Sequence, residues 1–401
     1  MSSESVEVKM PKTLTIVGNG FDLAIGAKTA YEDFYDCLKD CFQAVSINDF
    51  KNAYIHDDNE ELINSFYNLV KNNRDNYFIN YFLNYEVAFG NWVSFEKELT
   101  KIIKSLDHLI TSLNSHDKLF MDLTRHTFVT TYVRIMDRTS LLQVLSVYPD
   151  NKYFCANLRI QDFTKDGAVP FSIKGKVFKN IYEAYKGVEE FSERFPNLLY
   201  NDLITFSNLF SLYLGIVNHF VCFDKVIKDA FDTSYFINYN FTNYLEKMIE
   251  LNHLKFGDVL YINGLAENVN GFPKEKIVFG IDSNTKLDNL SFEIFTKRIQ
   301  RSMKDTDISH LDFVLNNSFE NIFIIGHSLN VADFESLGFI FSKCEDAIKP
   351  KITIYCLNDV AKRDLIINLK TILGNNKFDE YQREGMLSFI DSNRAWIKSC
   401  K

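Results

Sequence analysis

The apolar residues in the second half of the chain form short runs that alternate with stretches of helical spacing. The runs lie at residues 234–238, 258–263, 276–279, 321–325 and 351–356. Runs of this length bounded by turn residues predict strands, and apolar residues three or four positions apart predict helices at 241–254, 288–303, 331–344 and 360–372. This alternation predicts a parallel sheet with helices on both faces.

One further strand and helix are indicated near the N-terminus. Residues 14–17 are apolar or β-branched, Gly18-Asn19-Gly20 follow, and residues 30–42 have one apolar face. A glycine turn lets the backbone approach a bound group, and the start of a helix offers N–H groups to an anion. Because the third glycine of the dinucleotide fingerprint is missing, an ordinary strand-to-helix turn is an equally good interpretation.

The intervening segment has a helical hydrophobic period. Apolar residues recur at helical spacing over residues 60–146 and again over 181–230, where Pro196 is expected to break the helix. Residues 150–177 carry Gly and Pro and predict loops or a small hairpin. The content of 37 Phe and 20 Tyr against 16 Gly and 6 Pro favours long helices around an aromatic core.

We therefore predict an α/β fold, a Rossmann-like parallel sheet with helices on both faces, interrupted by a large, mainly helical insertion. The α/β domain comprises residues 11–45 and 231–401, and the insertion comprises residues 46–230. In this arrangement the N-terminal strand joins the strands of the second half in one sheet.

The composition restricts the class of protein. A formal net charge of −9 makes nucleic acid an unlikely partner, because tight binding to phosphates needs a basic surface. Seven cysteines without a CxxC pair suit free thiols in the cytoplasm. The longest apolar run, residues 209–223, contains Ser211, Asn218 and His219 and is too short to span a membrane. The eight histidines are scattered without HxxxH or HExxH, so no metal site is expected.

Glycines and polar side chains follow most of the predicted strands. Ligands of open parallel sheets bind beyond the carboxyl ends of the strands, so we expect these residues to surround one pocket. They are Gly18, Asn19, Gly20, Phe21, Asp22, Asn240, Thr242, Asn263, Gly264, Gly280, Asp282, Gly326, His327, Ser328 and Asp333. The amides suit ribose hydroxyls or ordered water. The aspartates could bind ribose, act as a base or cap helices, and His327 is either a general acid/base or a structural histidine.

The segment Gly326-His327-Ser328-Leu329-Asn330 matches most of the nucleophile elbow of serine hydrolases. Asn330 stands in place of the final glycine. That family places its histidine after the serine, and no histidine follows Ser328 in this chain. A serine triad of that order is therefore excluded.

Several motifs together resemble, in order, those of the AbiH-type bacteriophage abortive-infection proteins. They are IVGNGFDLAIGAKTAYEDF, Trp92 with Glu96 in NWVSFEKEL, NYNFTNYLE, Ile262-Asn263-Gly264, VFGID and IIGHSLNVADF. The resemblance extends over residues 13–334. It implies a bacterial anti-phage role without a defined biochemical activity.

The order of the motifs is also similar to that of sirtuin-like domains, several of which bind and hydrolyse NAD in defence. By this resemblance residues 18–22 would meet the pyrophosphate and ribose, and Asn240 would match the catalytic asparagine. Thr242 stands where an aspartate is usual, and Asn263 where the catalytic histidine is usual. An amide cannot take up a proton as imidazole does, so catalysis would need His327 or a carboxylate.

Two hypotheses follow for the expected pocket. The first is a cytoplasmic anti-phage enzyme that binds NAD or a related nucleotide and hydrolyses it on infection. Its candidate catalytic residues are Asn240, His327, Asp22 and Asp333. The second is a non-catalytic module that senses a nucleotide or a phage component and acts through a protein partner or a second copy of the chain. A nuclease is disfavoured by the negative charge and the absence of a metal-ligand motif.

Overall fold

The computed structural model describes residues 13–54, 59–84, 92–114, 128–134, 168–174, 188–217, 221, 225–231, 234–306, 318–347, 349–392 and 397–398. The strands among them are β1 Thr13–Val17, β2 Phe128–Arg134, β3 Ala168–Lys174, β4 Lys225–Val226, β5 Ser234–Asn238, β6 Phe256–Tyr261, β7 Asn268–Val269, β8 Phe272–Pro273, β9 Asn321–Ile325, β10 Lys351–Cys356, β11 Leu387–Asp391 and β12 Ile397–Lys398. The α-helices are α1 Asn19–Ala24, α2 Tyr31–Gln43, α3 Ile47–Tyr54, α4 Glu60–Asn72, α5 Tyr77–Asn84, α6 Trp92–Asn114, α7 Val188–Ile216, α8 Lys228–Phe231, α9 Tyr244–Leu251, α10 Lys297–Met303, α11 Phe334–Ala347, α12 Asp359–Leu373 and α13 Asn375–Arg383. Leu290–Phe295 and Val331–Asp333 are 3₁₀ turns.

Six strands form one all-parallel sheet in the order β11-β10-β9-β1-β5-β6. The sheet begins in the middle at β1, continues outward through β5 to β6, crosses back to β9 on the other side of β1, and continues through β10 to β11. This is a doubly wound sheet whose strand order reverses between β1 and β9, the position called the switch point. The predicted Rossmann-like parallel sheet with helices on both faces is confirmed.

Alternate residues of the central strands face opposite sides of the sheet. Leu14 and Ile16 of β1 lie in one buried cluster with residues of α11, α12 and α13. Val17 lies in another buried cluster, together with Phe21 and residues of α8 and α9. A strand that is covered on both faces needs apolar side chains at successive positions, which explains the uninterrupted apolar runs.

The helices α2 to α7 share a separate aromatic core. The ring of Phe34 lies 5.5 Å from that of Phe206 and 5.2 Å from that of Phe210, measured between centroids. Ile277 and Phe279, from the second half of the chain, are buried in the same cluster. Helix α2 therefore packs with the helical block although its residues precede position 46. The proposed division at residues 46 and 230 stays a prediction.

The strand predicted at residues 276–279 is wrong. Residues 277–279 are buried, but the segment pairs with no sheet strand among the described residues, and Val278 donates its N–H to the Asn263 carbonyl instead. Ile277 and Phe279 are apolar because they pack against the helical block. An apolar run of four residues does not distinguish such a segment from a strand.

Three helix predictions also need correction. Helix α7 continues through Pro196, since the buried Phe195 and Leu199 on either side keep both halves in the aromatic core. The helix predicted at 288–303 is a 3₁₀ turn followed by α10, with Thr296 between them capping α10. Part of the predicted helical stretch 60–146 is instead the strand β2, which pairs antiparallel with β3. The predicted helical residues 85–91, 115–127, 135–146, 181–187, 218–220 and 222–224 lie outside the described residues.

Candidate functional site

A cavity opens at the carboxyl edge of the sheet, at the switch point. Of the predicted residues, it is lined by Gly18, Asn19, Gly20, Asn240, Asn263, Gly280, Gly326, His327, Ser328 and Asp333. Its other lining residues are Leu23, Phe95, Glu96, Tyr239, Phe241, Val278, Phe279 and Asn330. Phe21, Asp22, Thr242 and Gly264 lie outside this lining, and Asp282 lines a neighbouring cavity. The parallel strands thus bring most of the predicted residues together, because all their carboxyl ends lie on one edge.

The glycine turns after β1 and β9 pack directly against each other. A Cβ on Gly18 would lie 2.6 Å from the Cα of His327, and a Cβ on Gly20 would lie 2.8 Å from the Cα of Gly326. Gly326 has a φ of +65°, and a Cβ there would lie 2.1 Å from the nitrogen of Phe21. Contact between the two turns therefore explains why these positions are glycine.

The backbone N–H groups of the first turn donate hydrogen bonds within the protein. Gly18 donates to the Ile325 carbonyl at 2.9 Å, Gly20 to the Gly326 carbonyl at 2.8 Å, and Phe21 to the Gly18 carbonyl at 2.9 Å. Helix α1, which follows, has only six residues. The anion-binding N–H groups expected from the glycine turn are therefore not provided by Gly18, Gly20 and Phe21.

Two amides of the lining hold the cavity in shape. Asn19 donates to the Thr29 carbonyl at 3.2 Å and accepts from the Thr29 hydroxyl at 2.7 Å. Asn263 donates to the Tyr239 carbonyl at 3.2 Å, and its Oδ1 accepts from Arg301 at 2.9 Å. Because the oxygen and the nitrogen of each amide have a protein partner, both residues are fixed in orientation.

Asp22, Asn240 and Thr242 form a buried polar cluster behind the cavity wall. The two oxygens of the Asp22 carboxyl accept from Asn240 Nδ2 at 2.7 Å and from the Thr242 hydroxyl at 2.6 Å. Burial raises the pKa of Asp22 to about 7, although both hydrogen bonds act to lower it. Oδ1 of Asn240 has no hydrogen-bond partner among the described residues. Asn240, which lines the cavity, therefore has a buried acceptor without a partner and connects the lining to Asp22.

Four charged side chains meet beside the cavity, and two of them, Glu96 and Asp333, line it. Nζ of Lys297 lies 2.5 Å from a Glu96 oxygen and 2.8 Å from Oδ1 of Asp333. The guanidinium of Arg301 lies 3.6 Å from the same Asp333 oxygen. Lys297 and Arg301 are each only 2% exposed, so the ion pairs replace the water that these cations would otherwise need.

The charges of this cluster determine its protonation. Burial acts to raise the pKa of Asp333, but Lys297, His327 and Arg301 together hold that pKa well below its usual range. Burial raises the pKa of Glu96, against the neighbouring Lys297 charge. Burial acts to lower the pKa of Lys297, and the carboxylates hold it above its usual value. Asp333 is therefore ionised and Lys297 charged at neutral pH.

His327 lies between the second glycine turn and Asp333. Its Nδ1 accepts the Leu329 N–H at 2.9 Å, which leaves the proton of a neutral imidazole on Nε2. Nε2 lies 3.6 Å from Oδ2 of Asp333, and the ring packs against Tyr239 with centroids 4.2 Å apart. Leu329 has a φ of +52°, an uncommon conformation for a residue with a side chain. The backbone is thus strained where it orients this histidine.

Sequence reasoning missed Lys297 and Arg301, and it noted Glu96 only as part of a motif. The two cations are four residues apart on α10, a spacing that places them on one helical face. The same spacing occurs on many exposed helices, so it does not indicate burial. Their role depends on Asp333 and Glu96, which are distant in sequence.

The strand order and the position of the cavity define a Rossmann-like α/β protein with a ligand-type cavity at its switch point. A family model described as Bacteriophage abortive infection AbiH matches residues 14–354 of the 401. The chain therefore belongs to this family, which confirms the resemblance found in its motifs. Membership supports a role in abortive infection of phage-infected bacteria. The matched segment contains both glycine turns and all four charged residues of the buried cluster.

No curated protein and no solved structure matches the chain significantly. No helix within the described part of the chain is long and apolar enough to cross a membrane. The similarity to sirtuin-like domains stays a prediction.

Proposed function

We propose that the protein acts in abortive infection by binding NAD or a related nucleotide in the switch-point cavity and hydrolysing it. The observation that carries this proposal is the set of groups around one cavity: aromatic rings, the amide side chain of Asn240 and the ionised carboxylate of Asp333. Doubly wound sheets commonly bind nucleotides at this position.

The aromatic wall suits a planar ring. The centroid of the Phe279 ring lies 5.1 Å from that of Phe95 and 5.6 Å from that of Phe241, and all three line the cavity. A base or nicotinamide ring would cover apolar surface there. The Asn240 oxygen would accept from a ribose hydroxyl or a water molecule.

Hydrolysis of NAD would break the bond between ribose C1′ and the nicotinamide nitrogen, and the electron pair would leave with the nitrogen. A water oxygen would bond to C1′ and release a proton to solvent. Positive charge would develop on the ribose, where the Asp333 carboxylate would stabilise it. Asn240, held by Asp22, would orient the ribose or the water. His327 would help to orient Asp333.

The test is nicotinamide release from NAD by the purified protein, with and without a phage lysate. We expect release by the wild type and a loss of roughly 100-fold in rate in Asn240→Ala, in line with the loss of one positioned polar group. Asn243→Ala is the matched control, since Asn243 lies outside the lining and its side chain makes no cap bond. The proposed hydrolysis would be contradicted if the wild type released no nicotinamide under either condition and Asn240→Ala still protected cells from phage.

The second candidate is a sensor that binds a nucleotide without turnover and acts through a partner. The favouring observation is that Asn263 is engaged by Arg301 and Tyr239 and that Nδ1 of His327 accepts a backbone N–H. Neither residue then offers a free base. Thermal-shift measurements decide between the two: stabilisation by NAD together with no nicotinamide release favours the sensor.

A further inference from the structure

A second, outer cavity adjoins the switch-point cavity. The inner cavity has a volume of about 220 Å³ and the outer one about 660 Å³, and both are lined by Glu96 and Asn330. Pockets that enclose a whole small ligand have volumes of about 300–1,000 Å³, so the inner cavity suits only part of a nucleotide. A nucleotide with its ring in the inner cavity would extend into the outer one.

Three lysines line the outer cavity. Lys97 and Lys104 come from α6, and Lys286 comes from the loop before the 3₁₀ turn at 290–295. None of the three forms an ion pair with a described residue, whereas Lys101 of the same helix lies 3.4 Å from Glu98. In a chain of net charge −9, this is a local concentration of unpaired positive charge.

The carboxylates of the outer cavity have other partners. Glu96 lies 2.5 Å from Nζ of Lys297, which belongs to the inner cluster. Oδ1 of Asp282 accepts the N–H of Asn284 at 2.8 Å. Neither carboxylate forms an ion pair with the three lysines, so the outer cavity has an excess of positive charge.

We propose that the outer cavity binds the phosphate groups of the nucleotide whose ring and ribose occupy the inner cavity. This inference rests on the proposed function and narrows it to nucleotides with two or more phosphates, such as a dinucleotide or a nucleoside diphosphate. Lys97 and Lys104 are seven residues apart, about 10 Å along the helix axis, which suits an extended anion. Lys286 supplies positive charge from the loop.

Calorimetric titration with NAD, ADP and adenosine tests the proposal on the full chain. The variant Lys97→Gln/Lys104→Gln/Lys286→Gln should bind NAD and ADP roughly tenfold or more weakly, since each exposed charge contact contributes modestly. Adenosine binding should not change. The matched control is Lys255→Gln/Lys351→Gln/Lys377→Gln, three exposed lysines of which Lys255 and Lys351 lie at the amino edge of the sheet. It should bind all three ligands like the wild type.

Two outcomes overturn this inference alone: ADP and NAD affinities that the triple variant leaves unchanged, or an equal loss for adenosine. Wild-type protein that binds adenosine as tightly as ADP also overturns it while leaving the nucleotide site in place. Wild-type protein that binds none of the three ligands overturns the proposed function, and the phosphate site with it.

Discussion

Asp22 and Asp333 are both buried carboxyl groups beside the same cavity, yet their surroundings shift their protonation in opposite directions. Asp22 meets only neutral donors, Asn240 and Thr242, and its pKa is raised to about 7. Asp333 meets Lys297 and Arg301, and its pKa is held well below its usual range. Burial by itself disfavours charge, so the neighbouring cations decide which carboxylate is ionised. Asp333 therefore brings a fixed negative charge to the cavity lining, whereas Asp22, behind the wall, is a titratable group.

The largest expected effect comes from removing the main cation of the Asp333 cluster. Lys297→Met leaves Glu96 and Asp333 buried with one less counter-charge, and we expect the free energy of unfolding to fall by about 3–5 kcal/mol. Urea denaturation measures it. Arg298→Met is the control on the same helix, because Arg298 is exposed and should change stability by less than about 0.5 kcal/mol. Equal losses in the two variants would mean that the cluster is not held by charge.

The same substitution in the two carboxyl groups should have unequal effects. Asp333→Asn leaves two buried cations short of an anion and should cost about 3 kcal/mol. Asp22→Asn removes no counter-ion and disturbs only one of two hydrogen bonds, so it should cost about 1 kcal/mol. Denaturation of both variants at pH 7 measures the difference. Equal costs would contradict the assignment of opposite protonation states.

The pH dependence should separate the two groups next. In the folded protein Asp22 keeps its proton up to a pKa of about 7, against 3.8 for an ordinary aspartate, so the unfolded chain binds fewer protons between these values. Stability from this group is therefore fully present below pH 4 and is lost as the pH rises towards and through 7. Asp333, with its lowered pKa, does the reverse and loses stability below pH 4. Wild-type stability relative to Asp22→Asn, followed from pH 4 to 8, should therefore fall; a flat difference would be contrary to the raised pKa.

The smallest expected effect concerns the Thr242 hydroxyl. Thr242→Val removes a 2.6 Å hydrogen bond to Asp22 and should cost about 1 kcal/mol. Because that bond lowers the pKa of Asp22, its loss should move the pH-dependent change to higher pH. Thr242→Ser keeps the hydroxyl and should behave as the wild type. If Thr242→Ser moved the pH-dependent change as far as Thr242→Val does, the shift would come from altered packing and not from the lost hydroxyl.

The strands that sequence reasoning located well are those buried on both faces. β5, β9 and β10 are mostly apolar because helices cover both sides of the sheet. β11 was missed because it is an edge strand whose side chains are only partly buried, so its apolar pattern is weak. The segment 276–279 was mistaken for a strand because burial against helices and burial in a sheet select the same side chains.

The candidate site divides in the same way. The sequence predicts that Gly18, Asn240 and His327 meet because each lies within two residues of a strand end, and the structure places all three in one lining. The sequence predicts that the glycines of the first turn let the backbone approach a bound anion. In the structure, Gly18 and Gly20 instead allow close contact with the second glycine turn. The sequence offers no signal for this contact, because it joins turns about 300 positions apart.

The order of apolar runs and helical stretches by itself determined the doubly wound sheet and the edge at which its polar strand ends meet. Parallel connections place every carboxyl end on one side, whatever the side chains are. Only the tertiary structure decided which groups are charged. Glu96, Lys297 and Asp333 come from three separate elements, and their ionisation depends on distances of 2.5 and 2.8 Å and on the burial of Lys297 and Asp333. The spacing of residues along the chain does not predict these ionisation states, because electrostatic energy depends on separation in space and on burial.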